Sequence, residues 1–82
     1  MAHTTLRKTL RSRGHRVLIR VLKATRAAAG LNQRELADRL KRPRSFVGRT
    51  EAGERRLDVV EFIEIARVLE VDPRQLFAKL LD

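Results

Sequence analysis

Eighty-two residues with 43% apolar side chains, three Phe and no Cys make one small aliphatic domain, which excludes a disulfide framework, a thiolate metal site and an extensive enzyme pocket. No uncharged run exceeds seven residues, so neither a membrane-spanning helix nor a signal-peptide core is expected. The formal charge of +9 points to a polyanionic partner.

That charge is segregated along the chain. Residues 1–34 hold nine basic side chains and no acid, so this segment alone carries +9. A second basic block, with Arg39, Lys41, Arg42, Arg44, Arg49, Arg55 and Arg56, precedes an acidic C-terminal third. Such an arrangement fits a domain with one phosphate-facing side, and the predominance of Arg over Lys suits phosphates and guanine edges. Residues 1–11 offer Arg7, Lys8 and Arg11 but little to bury, and are expected to form a flexible basic arm, either ordered on DNA or a solubilising tail.

Caps and periodicity predict five helices and no strand over residues 12–82. Ser12 caps a helix over about 13–29, with Val17, Leu18, Val21, Leu22, Thr25 and Ala28 inward and Gly30 as its left-handed stop. Asn32 and Glu35 make a capping box for a helix over about 33–40, with Leu36, Ala37 and Leu40 inward. Pro43 opens a third helix over about 44–52, which buries Val47 and Thr50, ends at Gly53, and leaves Arg44, Ser45, Gly48 and Arg49 outward. Asp58 and Glu61 cap a fourth, with Phe62, Ile63, Ile65, Ala66 and Leu69 as its apolar stripe. Asp72 and Pro73 start a last helix bearing Leu76, Phe77, Leu80 and Leu81.

The second and third helices, joined by Lys41-Arg42-Pro43, follow helix-turn-helix logic: the outer face of the third is small and basic enough to enter a major groove. At residues 30–40 (GLNQRELADRL) and 43–58 (PRSFVGRTEAGERRLD), with Ile65-Ala66, Leu69 and Val71 beyond, the chain resembles the Cro/cI-type, XRE-like DNA-binding domain. The resemblance covers about residues 12–81 and implies an all-α, five-helix, lambda-repressor-like fold with a helix-turn-helix. It places Arg44, Ser45 and Arg49 where the family reads bases, and puts Gln33 on a phosphate. Mere phosphate contact stands as the alternative for Arg44 and Arg49.

Lys41, Arg42, Arg55 and Arg56 flank the recognition helix and are expected on the DNA backbone. Phe46 either forms part of the groove wall or packs between helices. Gly48, unfavourable inside a helix by about 0.8–1 kcal/mol relative to Ala, is expected to allow close approach to the groove. The resemblance makes Arg26 and Glu51 a structural salt bridge between the first and third helices. Lys41 and Glu70 stand where the family commonly has Gly, and Thr50 replaces an aliphatic residue, with its hydroxyl free to bond the Phe46 carbonyl.

The function implied is a sequence-specific, double-stranded-DNA-binding transcriptional regulator, a homodimeric repressor reading an inverted repeat. Phe77, Leu80 and Leu81 are the expected dimer interface, or else complete the monomer core. An antitoxin or adaptor with a protein partner, and a sequence-neutral nucleoid binder, remain as alternatives. A cytoplasmic, bacterial or phage-type setting accompanies these readings. Neither catalytic nor metal-binding patterns are found, since His3 and His15 lack ligand spacing and Ser12 and Ser45 lack a base, so no enzyme activity and no cofactor are expected.

Overall fold

Side-chain caps set where the helices start. In the computed structural model, which describes Leu10 and residues 12–81, five helices lie within residues 12–81: α1 (Arg13–Ala28), α2 (Gln33–Leu40), α3 (Arg44–Glu51), α4 (Val59–Val68) and α5 (Pro73–Ala78). The arm expected over residues 1–11 falls, Leu10 aside, outside the described residues. Ser12 accepts the His15 N–H at 3.1 Å. Both capping boxes form, Asn32 with Glu35 and Asp58 with Glu61. Asp72 accepts the Arg74 N–H ahead of α5, whereas Pro43 opens α3 with no side-chain cap.

Four of the five helices end alike. After α1, α2, α3 and α4 the chain turns through a left-handed residue, respectively Gly30 (φ 77°), Lys41 (57°), Gly53 (76°) and Glu70 (59°). At each, the next residue's N–H reaches back into the last turn, as in Leu31 to the Arg26 carbonyl and Val71 to the Ala66 carbonyl. Gly53 has a second reason to lack a side chain: a Cβ there would sit 3.3 Å from Ile19 Cδ1. Lys41 and Glu70 adopt the same backbone with a Cβ, at a cost of roughly 1 kcal/mol each.

These reversals fold the chain around one core. α3 packs on α2 and α1, α4 on α2, and α5 on α4. Leu22, Leu36, Ala37, Phe46, Val47, Phe62, Ile65, Ala66, Leu69 and Leu76 are buried, and Leu31 joins them from the α1–α2 turn. Each large aliphatic side chain so buried contributes about 1.5–3 kcal/mol.

Two details differ from the sequence reading. Ala28, expected inward, is exposed, on the wall of an open cleft that it shares with Leu69, Val71 and Lys79. The last helix stops at Ala78, leaving Leu80 half-buried against the core and Leu81 exposed.

Candidate nucleic-acid interface

The outer face of α3 follows from what its inner face buries. Val47 and Thr50 point into the core with Phe46, so Arg44, Ser45 and Arg49 are left exposed on the opposite side. Among the described residues Arg44 and Arg49 have no ion-pair partner, and neither do Lys41 before the helix and Arg56 after it. Thr50 spends its hydroxyl on the Phe46 carbonyl at 2.7 Å, as its place on the buried face requires.

Glu51, at the C-terminal end of α3, would oppose both the helix dipole and an approaching phosphate if it stood alone. It is instead gripped by Arg26 of α1, whose Nε donates to Oε2 at 2.7 Å and Nη2 to Oε1 at 2.8 Å. The same guanidinium donates Nη1 to the Leu31 carbonyl at 2.8 Å, and Gln33 adds Nε2 to Glu51 Oε1 at 2.9 Å. With side-chain exposures of 12% and 5%, Arg26 and Glu51 form a desolvated bidentate pair. Burial pushes the Glu51 carboxyl up, but hydrogen bonds from Arg26 and Gln33 and the charges of Arg26 and Lys23 outweigh it and hold the group below the usual carboxylate range. The hydrogen bond to Glu51 correspondingly raises Arg26. Gln33, expected on a phosphate, thus also braces the end of the recognition helix.

Phe46 is buried at 8% exposure, which fits the packing role of the two expected for it. The aromatic at the third position of α3 thus joins the core rather than the outward face. Its ring carries two cations, with Arg42 Cζ 4.8 Å and Arg55 Cζ 4.5 Å from the centroid. Both arginines, expected on the DNA backbone, have partners inside the protein. Arg55 bonds Glu61 at 3.1 and 3.3 Å, and Arg42 bonds Glu61 at 3.4 Å and Glu64 at 3.1 Å. Burial works to raise the Glu61 carboxyl, but the Arg55 hydrogen bond, the Asp58 N–H and the two arginine charges leave it lowered.

This second cluster was not foreseen from the sequence, where Glu61 reads as a capping residue. A signal did exist: Glu61 lies on the same helical face as Phe62, Ile65 and Leu69, and an acid on a buried stripe needs a cation.

Gly48 faces Gln33, and a Cβ at Gly48 would meet Gln33 Oε1 at 3.5 Å, an ordinary contact. The protein itself therefore has room for Ala at this position. Away from α3, Phe77 (51% exposed) lies beside Val59 (73%), and Val60 (65%) and Leu81 (73%) are exposed as well. Phe77 meets Phe62 edge-on at 6.3 Å, and a groove lined by Leu18, Leu57, Val59, Phe62, Phe77 and Leu80 runs beside it. No helix among the described residues is long and apolar enough to cross a membrane.

Comparison with known proteins agrees with the fold. The family model for the helix-turn-helix domain matches residues 18–80. Among solved structures, an XRE-family like protein from Pseudomonas syringae pv. tomato str. DC3000 is similar, with a TM-score of 0.82 and 46% sequence identity over 93% of this chain and 93% of that one. No curated protein matches the chain.

Proposed function

The chain belongs to the XRE-like helix-turn-helix domain family, and from that premise we propose that it is a sequence-specific regulator of transcription that reads double-stranded DNA through the major groove. One observation carries the reading: α3 is braced from behind by Arg26, Gln33, Arg42 and Arg55, while its front presents Arg44, Ser45 and Arg49 exposed, the two arginines without an ion pair among the described residues. Arg44 and Arg49 each fork onto guanine O6 and N7, and Ser45 donates to or accepts from a neighbouring base edge, each bidentate contact supplying about 1–3 kcal/mol of discrimination. Lys41, Arg56 and Gln33 set the register on the phosphates, and Gly48 keeps the helix surface low enough to reach the bases.

One recognition helix reads only a few base pairs, so the protein acts as a homodimer on two half-sites about 34–36 Å apart. Phe77 and Leu81, with Val59 and Val60, supply the apolar contact, and Leu80 supports them from the monomer core. Occupation of a promoter by such a dimer represses it, and the setting is the cytoplasm beside the nucleoid. The +9 of residues 1–34 favours a second reading, a sequence-neutral binder.

Selection from a random duplex library at about 0.15 M salt, where non-specific binding is curtailed, tests both. Enrichment of a G·C-containing inverted repeat is the expected result. Retention without a motif gives the sequence-neutral reading, and no retention overturns both in favour of a protein-binding adaptor.

A further inference from the structure

We propose that Glu61 determines specificity from behind the recognition helix, by holding Arg42 and Arg55 away from non-specific phosphate contact; the inference rests on the DNA-reading function proposed above. Glu61 lies at the start of α4 with its side chain only 10% exposed, and it is bonded by one arginine from the turn before α3 and another from the loop after it. Both guanidiniums also lie over the Phe46 ring, within 5 Å of its centroid. Glu64 takes a further bond from Arg42 at 3.1 Å, so two arginines face two carboxylates and the cluster is formally neutral.

This matters because cations beside a recognition helix have two opposite effects. Each one that neutralises a phosphate strengthens binding to any sequence, through counterion release, without adding discrimination. Arg42 and Arg55 flank α3 in sequence, yet each gives up its bonds to Glu61 to reach a phosphate, and if both did so the nearly buried carboxylate would be left uncompensated. The exposed cations Arg44, Arg49, Lys41 and Arg56 meet no such barrier. Glu61 thereby fixes both ends of α3 while lowering the share of affinity that ignores sequence.

Glu61→Gln isolates this role, since a Gln oxygen still accepts the Asp58 N–H that Glu61 Oε1 accepts at 3.0 Å, while the ion pairs are lost. The full chain and its variants are titrated against the selected duplex and a random-sequence duplex of equal length, over a range of salt, with thermal melting in parallel. On the random duplex, Glu61→Gln is expected to steepen the slope of log K against log salt by about 0.9–1.8, one or two added phosphate contacts, and to lower the selected-to-random affinity ratio. Glu64→Gln, at an exposed position, steepens it by about 0.9 or less. An unchanged or shallower slope for Glu61→Gln, in a chain that melts cooperatively, overturns the inference. If Glu61→Gln fails to fold, Arg42→Gln decides: an unchanged slope on the random duplex supports the inference, because a held arginine contributes no phosphate contact, and a shallower one overturns it. A wild-type chain that does not discriminate between the duplexes overturns the DNA-reading function itself, before any variant is compared.

Discussion

The recognition helix is held by two arginine–glutamate clusters of different construction. At its C-terminal end, Arg26 and Glu51 meet through two bonds of 2.7 and 2.8 Å, both side chains nearly buried. On its α4 side, Glu61 is shared between Arg42 and Arg55 at 3.1–3.4 Å, and those arginines keep 36% and 29% of their side-chain surface in solvent. The first cluster behaves as part of the core, where removing one partner strands the other in a dry site. The second is partly solvated, so its worth to stability is smaller and its influence falls on where positive charge is available. The same two residue types thus anchor in one place and tune in another, and burial makes the difference.

The comparison is broken most severely at the dry cluster. Arg26→Ala leaves Glu51 buried and unpaired and is expected to cost about 3–5 kcal/mol, a large share of a small domain's stability, read as a lower urea midpoint. Acid attacks the same contrast without mutation. The Glu51 and Glu61 carboxyls are both lowered in the folded protein, so the stability they confer is fully present above the unfolded carboxylate value of about 4.3 and is lost as pH falls through their folded values. Urea midpoints between pH 7 and pH 3 should therefore fall steeply below about pH 4–5, and Glu51→Gln should flatten that limb.

At the solvated cluster, Arg55→Ala removes the bonds to Glu61 and one cation over Phe46, and is expected to cost only about 1–2 kcal/mol. A loss matching that of Arg26→Ala would erase the distinction between the clusters. The front of α3 sharpens it from the other side. Gly48→Ala should stabilise the fold by about 0.8–1 kcal/mol, since the new methyl meets only Gln33, while weakening DNA binding through the lost approach. Stabilisation with unchanged DNA affinity would show that the groove does not come that close. Smallest in effect, Glu70→Gly relieves a left-handed residue far from α3 and should raise stability by up to about 1 kcal/mol, with DNA affinity unaltered.

What the sequence reveals here is what is local. Ser12, the Asn32–Glu35 and Asp58–Glu61 boxes and the Gly30 and Gly53 stops are decided within a few residues, and the helix boundaries follow from them. The Arg26–Glu51 pair, 25 residues apart, was within reach only because the chain resembles a family that has it. The sharing of Glu61 by Arg42 and Arg55 was not, since no periodicity links a turn, a loop and a helix start. Phe46 is a related case: it stands at the margin between the inner and outer faces of α3, where helical periodicity alone does not separate packing from exposure, and the tertiary fold buries it. The exposure of Val59 and Val60 is not legible locally either, since a capping box fixes where a helix starts but not which of its first-turn side chains the core will cover.

Glu61 also accepts the Asp58 N–H that closes the α4 capping box. Helix starts ordinarily fray, and their amides exchange with solvent far sooner than those of the core. Here opening the first turn of α4 also disrupts the ion pairs that reach the turn before α3 and the loop after it, since both meet the same carboxylate. The Asp58 amide should therefore exchange in step with the amides of α3, so that a helix terminus reports the opening of the whole helix-turn-helix.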